Sequence, residues 1–264
     1  MFEGERKFLG MGDRIQQKAV DISYQNVQKF FEERGENGNL AHKYNYVLFQ
    51  DDNPELAVQR DEQEKQKICG LLELKPGQRV LDLGCGVGRW GEELCGRGLY
   101  YVGIDGSPAL IERAQKNLQQ FPNRKLLVGL FQEFLNILKE NGEGEAFSLI
   151  FVNGVFMYLN DEDFGKALDD IKCVCGSECQ IYIKESMGVE ERLTLDQIYS
   201  EGLRQEYSAI YRSISEYREA TTKVFGSGDF QLISEGELFD ASLHNRKETT
   251  DYYMIWKNFA YNQL

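Results

Sequence analysis

Positive charge is scarce in this sequence. Its 264 residues include 30 Lys and Arg against 43 Asp and Glu, which gives a formal net charge of −13 at pH 7. The basic residues occur singly or in pairs and form no cluster. Nucleic-acid binders draw most of their affinity from basic side chains that contact phosphates. We therefore expect no nucleic acid and no anionic membrane among the partners, and the charge slightly favours a cationic or neutral small molecule as the ligand.

Long apolar runs are also missing. The first residues, MFEGERKFLG, carry charges where a signal peptide needs an apolar segment. No apolar run approaches the roughly 18 residues that a membrane-spanning helix needs. We expect a cytoplasmic protein, in which the six cysteines are reduced thiols.

Candidate metal ligands are few. His42 and His244 are the two histidines of the chain, and ordinary surface positions explain both more simply than catalysis does. The thiols of Cys173, Cys175 and Cys179 form a C-x-C-x-x-x-C run, but no fourth ligand lies near it in the sequence. We predict that these thiols are buried or half-buried and that the protein has no metal site.

From residue 79 onwards, short apolar runs alternate with helical stretches. The runs are RVLDL, YYVGID, KLLVGL, FSLIFVN and CQIYIKE, and two later strand candidates are DFQLISEGEL and DYYMIWKN. Such alternation indicates a parallel sheet with helices on both faces. The sequence therefore predicts one α/β domain built on a seven-stranded, mostly parallel sheet.

The segments on either side of this core are predicted to be helical. Apolar residues at helical spacing indicate a helix within residues 13–34. Asn53 and Pro54 are typical of an N-cap and a first turn, and the helix that they begin should reach about Leu74. A Tyr-rich stretch after the fifth strand is also expected to be mostly helical. The predicted parts of the single domain are a helical cap (1–75), a core (76–186), a helical insertion (187–228) and closing strands (229–264).

The sharpest motif is VLDLGCGVGRW at residues 80–90. Its apolar strand ends at Asp82, and the glycines that follow, Gly84 and Gly86 among them, permit a tight turn and a close approach of a ligand to the backbone. The second strand ends in Asp105, 23 residues after Asp82. A carboxylate in that position accepts hydrogen bonds from both hydroxyls of a ribose. A tight strand-to-helix turn without a ligand is the alternative.

The glycine spacing separates two classes of nucleoside ligand. Dinucleotide sites use G-x-G-x-x-G with a pyrophosphate at the helix N-terminus, whereas this loop reads G-x-G-x-G. Asp82 beside the loop would repel a pyrophosphate. It suits a ligand that carries an ammonium group, as the methionine part of S-adenosylmethionine does. The loop therefore disfavours a nicotinamide oxidoreductase.

On these residues the chain resembles the class I S-adenosylmethionine-dependent methyltransferases, over roughly residues 65–186 and the closing strands. A weaker resemblance links LFQEF (130–134), FVNGVFMYLND (151–161) and YIKES (182–186) to the protein N-terminal α-amine methyltransferases. The motif and the two resemblances imply S-adenosylmethionine as the cofactor. Taken together, they imply that the cofactor-binding residues are Asp82, Gly84, Gly86, Arg89, Asp105, Gly106, Ser107, Phe131, Gln132 and Asn153.

The second resemblance breaks down on the acceptor side. That family has a histidine where this chain has Tyr158 and an asparagine where it has Ser186, which argues against protein N-terminal methylation. Tyr158 and Glu185 follow the fourth and fifth strands, at the edge where open sheets bind ligands. We predict that both are catalytic and that they orient the acceptor or take its proton. Tyr211 is the third predicted catalytic residue, with a stripe of helix packing as the alternative.

Two segments outside the core are predicted to form the acceptor pocket jointly. One is the aromatic stretch of Tyr44, Tyr46 and Phe49, for which packing against the sheet is the alternative. The other is the insertion that carries Tyr211 and Arg212, where Arg212 pairs with an acceptor carboxylate or with a nearby acid. The leading hypothesis is methyl transfer from S-adenosylmethionine to a nitrogen or oxygen atom of a small-molecule acceptor. The alternatives are a peptide or protein N-methyltransferase and a cofactor-binding module without transfer activity.

Overall fold

The computed structural model describes residues 13–38, 40–226, 228–240, 243 and 246–259. His244 and the segment MFEGERKFLG, on which the expectation of no signal peptide rests, lie outside the described residues. In the described ranges, the strands are β1 (Asp13–Gln16), β2 (Arg79–Leu83), β3 (Tyr100–Asp105), β4 (Arg124–Val128), β5 (Phe147–Asn153), β6 (Cys175–Gly188), β7 (Leu193–Ser200), β8 (Gln205–Tyr211), β9 (Phe230–Glu237) and β10 (Thr249–Asn258). The α-helices there are α1 (Tyr24–Glu36), α2 (Asn45–Leu48), α3 (Pro54–Leu71), α4 (Arg89–Gly96), α5 (Pro108–Asn117), α6 (Phe134–Glu140), α7 (Asp161–Val174) and α8 (Ile214–Phe225).

The main sheet has seven strands in the order β4-β3-β2-β5-β6-β10-β9. The strands from β2 to β6 pair in parallel, and β10 runs antiparallel to both of its neighbours. This arrangement confirms the predicted seven-stranded, mostly parallel sheet with helices on both faces. The parallel strands therefore all present their carboxyl ends at one edge, where open α/β sheets bind their ligands.

The central strands are apolar because both faces of the sheet are covered. Val80 and Leu81 are neighbours in β2, and both are fully buried. They belong to different hydrophobic clusters, one on each face of the sheet, since successive side chains of a strand point to opposite sides. No helix in the described part of the chain is long and apolar enough to cross a bilayer.

The N-terminal extension differs in part from the prediction. The predicted helix at 13–34 begins only at Tyr24, where the side chain of Ser23 accepts the N–H of Asn26. Asp13–Gln16 form β1, which pairs with β7, and such long-range pairing leaves no trace in local periodicity. Helix α3 begins as predicted, because Asn53 caps the N–H of Leu56 and a proline occupies the first turn.

The predicted helical insertion at 187–228 is wrong in its first half. Strands β7 and β8 form an antiparallel hairpin, which joins β1 in a three-stranded sheet. Helical structure is limited to α8, which begins at a capping box of Ser213 and Glu216. Tyr207 and Tyr211 are four residues apart, a spacing that puts them on one face of a helix and equally on one face of a strand. In the structure both lie on β8, and Tyr217 lies on α8 in the main core.

Arg212 joins the hairpin to the turn between β5 and α7. Its guanidinium donates to the carbonyl oxygens of Phe156 (2.9 Å) and Leu159 (2.7 Å) and forms an ion pair with Asp161 (2.7 Å). The side chain is only 2% exposed. Of the two partners considered for Arg212, the structure therefore selects the nearby acid.

We expect Arg212→Leu to lower the free energy of unfolding by about 3 kcal/mol, because it removes a buried guanidinium that donates to two carbonyl oxygens and leaves Asp161 with Arg192 as its remaining cation. Arg218→Leu is the control, since Arg218 pairs with Glu235 and its side chain is 50% exposed. It should cost less than about 1 kcal/mol. Urea denaturation measures both, and equal losses in the two variants would contradict the anchoring role of Arg212.

Candidate active site

The glycine loop follows the carboxyl end of β2 and leads into α4. Gly84 and Gly86 have φ angles of 76° and 54°, in the left-handed region that favours glycine. A Cβ atom at Gly84 would lie 2.2 Å from Val155 Cγ2, and one at Gly86 would lie 2.5 Å from Val47 Cγ1. The loop therefore admits no side chain at either position, and its backbone borders a cavity directly.

Asp105 closes this loop from the end of β3. Its carboxylate accepts the backbone N–H of Gly86 (2.8 Å) and that of Ser107 (2.9 Å), one on each oxygen. An ionised carboxylate offers about four lone-pair sites, so each oxygen keeps capacity for another donor. Burial raises the pKa of Asp105 to about 6, against the opposing effect of the two N–H groups.

Asp82 is the second acidic group beside the loop. It is 3% exposed and accepts the hydroxyl of Tyr101 at 2.6 Å. Burial raises the pKa of Asp82 to about 7, although the Tyr101 hydrogen bond opposes that shift. The carboxylate borders the cavity, where it would attract an ammonium group once ionised.

The cavity has a volume of about 450 Å³ and lies at the carboxyl ends of the parallel strands. That size lies within the roughly 300–1,000 Å³ of small-molecule sites. The structure brings all ten predicted cofactor-binding residues to its lining. They are Asp82, Gly84, Gly86, Arg89, Asp105, Gly106, Ser107, Phe131, Gln132 and Asn153. Their contacts with a cofactor remain a prediction.

Two carboxylates of α3 hold Arg89, and sequence reasoning missed both. The guanidinium pairs with Asp61 Oδ1 and with Glu64 Oε2, each at 2.7 Å. Asp61 and Glu64 are buried on the same helix face as Ala57 and Ile68. The sequence did contain a signal for them. These four residues are three or four positions apart, which is the spacing of one helix face, and a face with that spacing can be buried whether its side chains are apolar or charged.

Glu64 also gathers donors from three other elements. It accepts the indole N–H of Trp90 (3.3 Å), the hydroxyl of Tyr182 (2.9 Å) and the side-chain amide of Asn153. Arg89 and Asn153, both predicted to bind the cofactor, are therefore oriented by one buried side chain of the N-terminal cap.

Tyr158, Tyr207 and Tyr211 line the same cavity and are called the tyrosine wall below. The Tyr158 and Tyr207 hydroxyl oxygens are 2.8 Å apart, and that of Tyr211 lies 3.4 Å from that of Tyr207. Burial raises the pKa of all three phenols. None of them is a base near neutral pH, so the expectation that Tyr158 takes a proton is not supported, whereas hydrogen bonding to an acceptor fits its position.

Glu185 does not line the cavity, contrary to the prediction. Its neighbours Lys184 and Ser186 do, and strand alternation turns Glu185 to the other face of the sheet. There its carboxylate accepts the N–H groups of residues 155, 156 and 157 at 2.8, 2.9 and 3.2 Å. Burial raises the pKa of Glu185 to about 7. Glu185 is thus a positioning residue for the turn that carries Tyr158.

The aromatic stretch of the N-terminal cap divides between packing and the cavity. Phe49 lines the cavity, together with Phe31 of α1. Tyr44 and Tyr46 instead pack in a buried cluster with Val87. Of the predicted aromatic stretch, Phe49 lines the cavity and the two tyrosines do not, and its role in binding an acceptor stays a prediction.

No group of three or more His, Cys, Asp or Glu side chains in the described ranges is arranged to hold a metal ion. Cys173, Cys175 and Cys179 are free thiols, of which Cys173 is exposed, Cys175 is half-buried and Cys179 is buried.

Sequence comparison finds a family match for the central part of the chain. Residues 80–177 match a family described as a methyltransferase domain. A segment of 47 residues is 49% identical to the 23S rRNA (uracil(1939)-C(5))-methyltransferase RlmD of Alkalilimnicola ehrlichii, which is 18% of this chain and 11% of that protein. Over 128 residues the chain is 27% identical to phosphoethanolamine N-methyltransferase 1 of Triticum aestivum, which is 48% of this chain and 25% of that protein. The chain thus spans a quarter or less of these relatives.

Solved structures share the fold over most of the chain. Phosphoethanolamine N-methyltransferase 1 of Haemonchus contortus matches with a TM-score of 0.66 and 15% identity, over 91% of this chain and 50% of that one. The N-methyltransferase NodS of Bradyrhizobium japonicum matches with a TM-score of 0.59 and 16% identity, over 88% of this chain and 98% of that one. Both of those structures contain S-adenosylhomocysteine. The likeness shows the class I methyltransferase fold.

Replacing Asp105 should weaken cofactor binding. Asp105→Ala removes the acceptors for two ribose hydroxyls, each worth about 0.5–1.5 kcal/mol, so we expect an affinity loss of about tenfold or more for S-adenosylhomocysteine. Calorimetry measures this loss, with Glu112→Ala, an exposed carboxylate of α5, as the control. Unchanged affinity in a folded Asp105→Ala protein would refute the ribose assignment.

The affinity for S-adenosylhomocysteine should also depend on pH. The pKa of Asp105 is about 6 and that of Asp82 about 7, and the ligand's hydroxyls and ammonium group favour the ionised carboxylates. Affinity should therefore be highest above pH 7 and fall about tenfold or more by pH 5, as both carboxyls take up protons. The profile of Asp105→Asn should be shallower, because only Asp82 then titrates. A flat wild-type profile, or one that rises towards acid, would contradict this assignment.

Proposed function

We propose that this chain, whose residues 80–177 match a methyltransferase domain, transfers a methyl group from S-adenosylmethionine to a nitrogen or oxygen atom of a small-molecule acceptor. The observation that carries this proposal is the single cavity of about 450 Å³ that extends from the glycine loop to the tyrosine wall. The cofactor would supply an activated methyl group. The protein's own task is then to align the acceptor and exclude water.

The aromatic lining of the cavity favours a small acceptor over a peptide. Phe31 and Phe49 of the N-terminal cap and the tyrosine wall border the acceptor end. A peptide or protein N-methyltransferase needs a groove that admits a chain, and it remains the alternative. Two residues still argue against protein N-terminal methylation. Tyr158, which stands where that family has a histidine, belongs to the tyrosine wall. Ser186, which stands where that family has an asparagine, donates its hydroxyl to Asp251 at 3.1 Å.

The part of the cavity beside the tyrosine wall, which we call the acceptor end, has among the described residues no group suited to take a proton from the acceptor near neutral pH. The phenols of the tyrosine wall have raised pKa values. Although burial opposes it, Lys184 and Arg60 lower the pKa of Asp251 to about 2. We therefore propose that the acceptor atom arrives in its nucleophilic form, as an unprotonated amine or a carboxylate does. The names of the similar phosphoethanolamine N-methyltransferases and of NodS support a nitrogen acceptor.

The similarity to an RNA methyltransferase does not change the proposed acceptor class. It covers 18% of the chain, and the net charge of −13 opposes the phosphate contacts that give nucleic-acid binders most of their affinity. We propose a soluble small molecule as the acceptor and no nucleic acid as a partner.

A methyl-transfer assay with labelled S-adenosylmethionine and a panel of small amines and carboxylates tests this function. Tyr158→Phe should lower turnover by about two- to tenfold, the effect of one lost hydrogen bond, and leave S-adenosylhomocysteine affinity nearly unchanged. Tyr199→Phe is the control, since Tyr199 is 54% exposed and lies outside the cavity lining. If the whole panel stays unmethylated while the cofactor binds, the module without transfer activity becomes the better interpretation.

A further inference from the structure

The cations that line the cavity differ in whether a carboxylate neutralises them. Arg60 and Lys184 share Asp251, and Arg89 is held by the two carboxylates of α3. Arg246 lines the same cavity. Across the residues that the structure describes, no carboxylate lies within ion-pair distance of its guanidinium. Its charge is therefore available to a ligand.

Arg246 lies where the main cavity meets a smaller one. The second cavity has a volume of about 160 Å³. Tyr207, Tyr211, Arg246 and Thr249 line both cavities. Glu248, which also lines the small cavity, is already paired with Arg14. A ligand group held at Arg246 would thus sit where the two cavities meet, beside Tyr207 and Tyr211.

The hydroxyl of Tyr211 is only weakly engaged at this junction. It donates to the Tyr207 hydroxyl across a long contact of 3.4 Å, and an anionic oxygen beside Arg246 would be the stronger acceptor for that proton. Burial raises the pKa of Tyr211, and the neighbouring guanidinium of Arg246 partly offsets this effect. Tyr211 thus stays a neutral hydroxyl beside a fixed positive charge. A guanidinium fork next to a hydroxyl donor matches the several acceptor lone pairs of an oxyanion.

We propose that the methyl acceptor carries an anionic oxygen group, a carboxylate or a phosphate, which Arg246 binds together with the hydroxyl of Tyr211. This inference rests on the proposed function, because it names the acceptor class of the same site. It reverses the slight preference for a cationic or neutral ligand that the net charge of −13 suggests. Screening limits the overall charge to a range of about 8 Å at physiological salt, so the nearest cation decides at the site.

Inorganic phosphate and acetate are the probes for this anion site. In ³¹P NMR titrations of protein saturated with S-adenosylhomocysteine, phosphate should bind to the wild type, and acetate should compete with it. Arg246→Gln should weaken phosphate binding about tenfold or more, the effect of one lost charge-assisted contact. Lys247→Gln should behave like the wild type. Lys247 is the matched control, since it is also exposed, adjacent in the chain and outside both cavity linings.

Three results of these titrations would overturn the inference. They are the absence of phosphate and acetate binding in the wild type, equal phosphate binding by Arg246→Gln and the wild type, and a loss of S-adenosylhomocysteine affinity in Arg246→Gln. The last result would assign Arg246 to the carboxylate of the cofactor instead.

Paired acceptors separate this inference from the proposed function. Ethanolamine and phosphoethanolamine form one such pair, and benzylamine and 4-(aminomethyl)benzoate form another. We expect kcat/KM of the wild type to favour the anionic member, and Arg246→Gln to remove that preference without slowing the neutral member. Methylation of neutral members that the anionic group does not improve would overturn the anion site and leave methyl transfer standing. A protein that does not bind S-adenosylhomocysteine would instead count against the proposed function.

Discussion

The carboxylate of Glu64 is the contact on which the cofactor end of the cavity depends. It is 1% exposed, and a carboxylate so deeply buried is stable only when it is paired and hydrogen-bonded. Arg89 of α4, Asn153 of β5 and Tyr182 of β6 all reach it. Helix α3 is thereby fixed to the sheet, and the removal of one partner from such a group typically costs about 3–5 kcal/mol. The same contact orients two residues that border the cofactor end of the cavity.

A second buried carboxylate has the corresponding role at the acceptor end. Glu185 lies on the opposite face of the sheet from the cavity and holds three consecutive N–H groups of the turn before Tyr158. Arg212 holds the carbonyl oxygens of the same turn. The turn is therefore fixed through both its N–H groups and its carbonyl oxygens, and this fixes the position of the Tyr158 phenol in the cavity lining. Glu185 and Arg212 therefore position Tyr158 of the tyrosine wall through the backbone of this turn, without contact with a ligand.

Local signals made part of this structure predictable from the sequence. The cap of α3 at Asn53, the glycine loop and Asp105 each depend on a few neighbouring residues, and the structure has all of them where the sequence predicts. The hairpin that carries Tyr207 and Tyr211 escaped prediction, because a four-residue spacing suits both helix and strand and because β7 pairs with a strand from the other end of the chain. Glu185 was predicted to face the cavity, but strand alternation turns its neighbours Lys184 and Ser186 to the cavity instead. Arg246 lies on the connection between β9 and β10, where no periodic pattern marks a residue as functional.

The central claim is that one cavity holds the cofactor at the glycine loop and the acceptor at the tyrosine wall. A crystal structure of the complex with S-adenosylhomocysteine tests it most directly. The account predicts that the ribose hydroxyls bond to Asp105, that the adenine lies beside Phe131 and Gln132, and that the sulfur faces the open space in front of Tyr158 and Tyr211. A complex in which the sulfur points away from the tyrosine wall, or in which the ribose is bound elsewhere, would contradict it.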